Sequence, residues 1–124
     1  MSTLMVRALS LAARALPAAA GGPIQYDGEG DTVWMDAAFG RSEFQVESSD
    51  GMRLEYTDRD FIFPADRLIL NGELATPKRG HRITIIKTRG DTEVFEVLAP
   101  GGAQVYRLCD PEGYMIRVHT KRLS

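Results

Sequence analysis

From Pro23 onward, the chain consists of short stretches in which apolar and polar residues alternate, and turn signals separate them. Alternation with a period of two is typical of β-strands that bury one face. Asp50-Gly51 is a strong hairpin turn signal, and Asn71-Gly72 is a tight turn. A length of 124 residues suits one domain. The sequence therefore predicts a mainly β protein, a small antiparallel β-barrel or sandwich spanning residues 23–124, with no second domain.

Two segments show the alternation clearly. The first is a hairpin across Asp50-Gly51, in which we predict an apolar face on the returning strand formed by Met52, Leu54 and Tyr56. The second is a last strand over residues 114–121, with one face made of Met115, Arg117, His119 and Lys121. That face is basic. Between these segments, four large side chains are predicted to lie in the core: Phe61, Phe63, Leu68 and Leu70.

The first 22 residues follow a different pattern, because their apolar residues recur at helical spacing. We predict an N-terminal α-helix over residues 3–16, followed by a flexible tether that reaches Pro23. Arg14 interrupts the apolar stretch, which disfavours a secretory signal peptide. The apolar arc is wide and includes Leu4, Leu9 and Leu11, so the helix must pack against something. It either packs on its own domain or docks onto a neighbouring subunit, and the sequence leaves both open.

The net charge of −2 is unevenly distributed along the chain. Residues 1–75 hold 6 basic and 12 acidic side chains, whereas residues 76–124 hold 9 basic and 5 acidic ones. Such an asymmetry can mark two unlike surfaces, or it can disappear when the strands interleave in space. A protein that binds nucleic acid on its own, outside a larger assembly, usually carries a net positive charge, which this chain lacks.

Residues suited to catalysis or metal binding are few. With one Cys and two His, the chain contains no ligand cluster at zinc spacing, and we predict no metal and no cofactor. Cys109 with His81 or His119 is the sole candidate for a nucleophile and base, and no catalytic motif surrounds it. Asp58 and Asp60 are spaced as on a solvated strand face. No apolar run is long enough for a membrane-spanning helix. We therefore expect no enzymatic activity.

Several motifs together resemble a known family. They are Pro77-Lys78-Arg79-Gly80, Val94-Phe95-Glu96-Val97-Leu98-Ala99-Pro100-Gly101-Gly102, Tyr106-Arg107, Asp110-Pro111-Glu112-Gly113 and Ile116-Arg117-Val118-His119-Thr120-Lys121. Gly40-Arg41, Phe44-Gln45-Val46, Asp60-Phe61 and Ala65-Asp66 fit the same pattern. From about Gly40 to Lys121 the chain resembles the head–tail joining, or head-completion, proteins of tailed bacteriophages and prophages.

The resemblance implies a structural virion protein of the head–tail connector, assembled in the cytoplasm of the host bacterium. It implies a ring of six subunits, or a multiple of six, that completes the DNA-filled head and meets portal or adaptor proteins and tail proteins. Double-stranded DNA would pass through the ring without sequence-specific binding. Two alternatives stay open: a related structural role as a tail terminator or tube protein of the same barrel type, and a monomeric β-barrel module that binds a peptide or nucleic acid.

Two sets of residues are candidates for such a role. Candidate residues for docking on a subunit or partner are Leu4, Leu9, Leu11, Arg117, His119 and Lys121. Candidate residues facing the channel are the acids of the predicted hairpin, because a lumen through which DNA slides should not bind phosphates. These acids are Glu43, Glu47 and Glu55.

Overall fold

The computed structural model describes residues 20–87 and 90–123. In these residues the chain forms eleven strands and two short 3-10 turns, Ala65–Arg67 and Pro100–Gly102. The strands are β1 (Gly21–Gly28), β2 (Asp31–Gly40), β3 (Glu43–Ser48), β4 (Gly51–Tyr56), β5 (Arg59–Pro64), β6 (Ile69–Leu70), β7 (Glu73–Leu74), β8 (Arg82–Ile86), β9 (Thr92–Val97), β10 (Tyr106–Leu108) and β11 (Met115–Arg122). The predicted mainly β fold is confirmed. The helix predicted over residues 3–16 lies outside the described residues.

Six antiparallel strands close into a barrel in the order β11-β5-β2-β1-β8-β9, because β11 pairs with both β5 and β9. Thr120 shows the closure, since it lies opposite Arg59 on one side and Val97 on the other. The earlier part of the β9-facing edge of β11 pairs with the short strand β10. Closure gives each of these six strands a partner on both sides, and an unpaired edge is the part of a sheet most prone to unwanted pairing.

The core fills the interior of the barrel with the inward-facing residues of these strands. Tyr26, Phe61, Phe63 and Phe95 are the largest fully or almost fully buried side chains, and their rings meet edge to face. The four core residues predicted from sequence are all buried, including Leu68 and Leu70. Leu68 follows the Ala65–Arg67 turn and Leu70 lies in β6, so this segment contains both a helical turn and a strand.

Strand β1 begins at Gly21, where it pairs with Ala38 of β2. The tether predicted to reach Pro23 therefore ends earlier than expected, and Gly21 and Gly22 belong to the barrel. Nothing lies within 4 Å of a Cβ placed on Gly22. The sequence Gly-Gly-Pro suggested a flexible linker because glycine and proline weaken strands, but pairing with β2 outweighs that local preference.

Strands β3 and β4 form a separate two-stranded hairpin outside the barrel sheet. The pairing of Ser48 with Gly51 leaves a two-residue turn, and it sets Phe44 opposite Glu55 and Leu54 opposite Gln45. The two apolar rows of the hairpin consequently lie on opposite faces. We call one face the inner hairpin face; it carries Phe44, Val46, Arg53 and Glu55. We call the other the outer hairpin face; it carries Glu43, Gln45, Glu47, Met52, Leu54 and Tyr56.

The inner hairpin face packs on the barrel. The Phe44 ring lies 5.0 Å from the His119 ring, centroid to centroid, in an edge-to-face contact. The Val46 side chain lies 3.3 Å from where a Cβ on Gly101 would stand, so the Pro100–Gly102 turn contacts β3 closely. Gly101 has a φ of 64°, a left-handed conformation that glycine adopts without strain. These contacts fix the hairpin over the end of β11.

Candidate functional site

A cluster of polar side chains lies between the barrel wall and the hairpin, centred on the fully buried carboxylate of Asp60. Arg117 donates through Nη1 to Asp60 Oδ2 at 2.8 Å, and the Ser42 hydroxyl donates to the same oxygen. His119 Nδ1 donates to Oδ1 at 3.0 Å. The backbone N–H of Ser42 donates in turn to Thr57 Oγ1 at 2.9 Å. Because the Thr57 side chain also hydrogen-bonds to Asp60, the carboxylate is the common acceptor for groups from three separate segments.

Strand register brings these groups together. Asp60 lies opposite His119 in the β5–β11 pair, with Arg117 two residues earlier on the same face of β11. Their neighbours Phe61 and Val118 point into the core, so Asp60, Arg117 and His119 point outward from the wall. The segment leading into β3 supplies Ser42, and Phe44 covers His119. A strand face that would otherwise be solvated is thereby buried.

The donors around Asp60 determine its ionisation. Burial alone raises the pKa of the carboxyl group, but hydrogen bonds from His119, Ser42, Arg117 and Thr57 outweigh it and lower the pKa to about 2. A buried charge without such partners would be strongly destabilising. Asp60 is consequently ionised at neutral pH and holds the hairpin segment, through Ser42, against β11.

A second cluster lies on the other side of the barrel around His81. The Tyr26 hydroxyl and His81 Nδ1 are 2.6 Å apart, and His81 Nε2 is 3.0 Å from Glu29 Oε1. These contacts suit the tautomer in which Nε2 carries the proton and Tyr26 donates to Nδ1. Burial raises the pKa of Tyr26, and the hydrogen bond from His81 lowers that of Glu29. Gly28 is required here, because a Cβ on it would stand 2.8 Å from the imidazole.

In the described part of the chain, the side-chain hydrogen-bond partners of His81 are Tyr26 and Glu29 and that of His119 is Asp60, and none of these is a serine or cysteine. In a catalytic triad the serine hydroxyl donates to the imidazole, whereas Ser42 donates to the Asp60 carboxylate instead. Cys109 is exposed, and partial burial of its sulfur raises the pKa of the thiol. A thiol with a raised pKa is a weaker source of thiolate at neutral pH. Among residues 20–87 and 90–123, no three His, Cys, Asp or Glu side chains form a group able to hold a metal ion.

The three candidate docking residues of β11 do not form one exposed basic face. His119 is buried and Arg117 is mostly buried against Asp60, so only Lys121 projects from the surface. The alternation placed these residues on one face correctly, but it could not show that the hairpin covers most of that face. Leu4, Leu9 and Leu11 lie outside the described residues, and their docking role stays a prediction.

The three candidate channel residues are divided between the two faces of the hairpin. Glu43 and Glu47 are exposed on the outer hairpin face, beside the exposed row of Met52, Leu54 and Tyr56. Glu55 lies on the inner hairpin face and forms an ion pair of 2.9 Å with Arg53. Whether these acids face a channel stays a prediction.

The charge asymmetry of the sequence largely disappears in the barrel, because strands of the two halves interleave. Asp60 and Glu29, from the acidic half, pair with Arg117 and Lys78 of the basic half. The hairpin is different, since β3 and β4 both come from the acidic half. Among the described residues, Glu43 and Glu47 have no ion-pair partner. The outer hairpin face therefore keeps the negative charge that the barrel wall neutralises.

Sequence reasoning missed two features of this site. Asp60 is buried, so its expected place on a solvated strand face was wrong, although Asp58 is exposed as predicted. The partners of Asp60 lie far along the chain, His119 being 59 residues away, and no local pattern signals such a contact. The orientation of the Met52–Tyr56 row was also missed, although the parity of a two-residue turn already sets it opposite Phe44 and Val46.

The comparison with protein-family models decides the family. The model described as "Phage head-tail joining protein" matches residues 2–124. The chain belongs to the phage head-tail joining protein family. A search of curated proteins found no match. This family is a structural one, and membership makes the chain a component of the phage virion that interacts with head and tail components. In the described residues, no helix has the length and apolar character needed to cross a membrane.

Proposed function

We propose that the protein is a ring-forming subunit that completes the DNA-filled head and connects it to the tail. Membership of the head-tail joining family over residues 2–124 carries this proposal. The fold supports it, because a closed barrel is a rigid body and the hairpin presents a separate, exposed surface for contacts. The ring is a hexamer or a multiple of six, coaxial with the portal vertex.

Ring formation follows from the kind of contact that such a subunit makes. When one surface of a copy binds a different surface of the next copy, the chain of contacts closes into a ring if the rotation allows it. Double-stranded DNA passes along the axis without sequence-specific binding. Lys121 is available to bind a partner, whereas Arg117 and His119 act indirectly by holding the hairpin on the barrel. Portal or adaptor proteins lie on one side and tail proteins on the other.

Loss of the protein from its phage tests this role. We expect particles whose heads lose packaged DNA and carry no tails, and we expect supply of the wild-type chain to restore tailed, DNA-filled particles. Electron microscopy and the DNA content of purified heads provide the measurement. A variant with the exposed Leu74 changed to Ala should restore as well as the wild type, since this side chain lies away from the hairpin, in β7.

Two other results would contradict the proposal. Normal heads joined to tails of irregular length would indicate the tail-terminator alternative. Normal particles that lack the protein altogether would indicate a role outside the virion, such as a monomeric binding module.

A further inference from the structure

The outer hairpin face combines an exposed apolar row with the acids Glu43 and Glu47, and Arg41 lies over the Tyr56 ring at one end, 5.5 Å from its centroid. Met52, Leu54 and Tyr56 expose 60%, 52% and 52% of their surface. The strand pairing sets Glu47 opposite Met52 and Glu43 opposite Tyr56, so a carboxylate borders each end of the row. Contiguous apolar surface bordered by polar residues is typical of a protein contact. A surface that faces only water or moving DNA does not require such an exposed apolar row.

A cavity of about 490 Å³ opens beside this row. Leu54 and Tyr56 line it on the hairpin side, and Leu98, Ala99 and Pro100 line it on the barrel side. Lys121, the exposed candidate docking residue of β11, also borders it. The cavity offers a recess next to the exposed row, and its mixed lining, which also includes Asp58 and Arg79, can take both apolar and charged side chains of an incoming segment.

The N-terminal residues have complementary chemistry. Residues 1–19 are rich in Leu and Ala, their charged side chains are Arg7 and Arg14, and they contain no acid. Residues 43–56 carry Glu43, Glu47, Asp50 and Glu55 against the single base Arg53. An apolar, basic segment and an apolar, acidic face attract each other at long range and bury apolar surface on contact.

We propose that residues 1–19 of one copy bind the outer hairpin face of the neighbouring copy. The donor segment leaves the barrel at Gly21, beside Ala38 of β2, whereas the acceptor face belongs to the β3–β4 hairpin and the cavity beside it. Donor and acceptor are different surfaces, so the contact repeats from copy to copy and closes a ring. The inference rests on the proposed ring function, and it names the surfaces that link adjacent subunits.

Charge reversal tests the electrostatic part of the contact. We expect the double variant Glu43→Lys with Glu47→Lys to reduce incorporation of the protein into DNA-filled heads about tenfold. We expect the same reduction for the double variant Arg7→Glu with Arg14→Glu. Combining the four changes should restore incorporation, because the attraction is re-formed with opposite signs. The matched control is Asp66→Lys with Glu73→Lys, two exposed acids away from the hairpin, which should incorporate normally.

Cysteine pairing identifies which chain supplies the segment. In a Cys109→Ser background, Leu11→Cys with Leu54→Cys should yield a ladder of covalent oligomers in assembled heads after oxidation. Leu11→Cys with Leu74→Cys, at an exposed site in β7, should yield none. Leu11→Cys with Leu54→Cys linked only within single chains would show that the segment binds its own hairpin and would overturn the proposal.

The outcomes separate this inference from the proposed function. If the Glu43/Glu47 variant assembles normally but impedes DNA passage, the acids face the channel and the docking proposal is wrong. If wild-type rings form in heads while the combined four-site variant fails to recover, docking is wrong and the ring stands. If the wild-type protein is absent from heads, the proposed function itself is wrong.

Discussion

The barrel and the hairpin differ in how completely they bury their apolar residues. The barrel turns Phe61, Phe63 and Val118 inward and closes its sheet, so it is complete within one chain. The hairpin has apolar rows on both faces and covers only the inner one, on His119 and Gly101. The difference teaches that the barrel buries its apolar residues within one chain, whereas the hairpin, held by the Asp60 cluster, leaves one apolar row exposed.

The largest expected effect is in the barrel core. Phe61 contacts Phe39 and Phe95 edge to face, with ring centroids 5.4 Å and 5.3 Å apart. Phe61→Ala should lower the free energy of unfolding by about 3–5 kcal/mol, because it leaves a cavity where a fully buried ring stood. Urea unfolding followed by circular dichroism measures it. The control Trp34→Phe changes a side chain that is 65% exposed, and an equal loss there would contradict the comparison.

Next in size is the cluster that joins the two parts. Asp60→Asn removes the charge that Arg117 and His119 contact, and it should cost about 3 kcal/mol of unfolding free energy. It should also loosen the hairpin, which limited proteolysis near the Ser49-Asp50 turn would detect before global unfolding. Asp66→Asn, at an exposed acid, is the matched control. Unchanged proteolysis of the Asp60→Asn hairpin would show that the inner contacts suffice without the carboxylate.

The pH dependence of stability sharpens the same comparison. Folding lowers the pKa of Asp60 from 3.8 to about 2. The ionised carboxylate therefore stabilises the fold fully at a pH above 3.8, and this stabilisation is lost as the pH falls toward 2. The expected contribution at neutral pH is about 2 kcal/mol. The stability difference between wild type and Asp60→Asn should therefore shrink between pH 4 and pH 2. A difference that stays constant over this range would contradict the assignment.

The smallest effect on stability is expected on the outer hairpin face. Leu54→Ser should change the free energy of unfolding by less than about 0.5 kcal/mol, because Leu54 is already 52% exposed. Its incorporation into heads should nevertheless fall, since the apolar row is lost. Thermal unfolding and particle composition, measured on the same variant, give the two values. A large loss of stability would show that the outer face is covered by its own chain.

The sequence predicted which residues share a face, but not what covers each face. Alternation grouped Met115, Arg117, His119 and Lys121 correctly, and Asp50-Gly51 located the hairpin. Burial of His119 requires Phe44, which lies far away in sequence, so no local pattern contains it. Contacts of this kind depend on how the strands are arranged in three dimensions.

The same limit explains the misplaced Asp60. Two acids spaced two residues apart normally indicate a solvated strand face, and Asp58 is indeed exposed. Asp60 differs because Ser42 and His119 bring donors to it from segments that only the closed barrel places nearby. The fold class came from local periodicity, whereas the polar cluster came from topology.

The dual pairing of β11 has a consequence for how the protein is made. Until the ribosome has synthesised the chain through Arg122, the neighbouring edges of β5 and β9 have no partner to complete the cylinder. Folding of the barrel must then finish after β11 has emerged, and pairings this distant in sequence form slowly. Chains interrupted before this strand would expose the unpaired edges of β5 and β9 to proteases and chaperones. Only chains that contain β11 would then reach the growing virus particle.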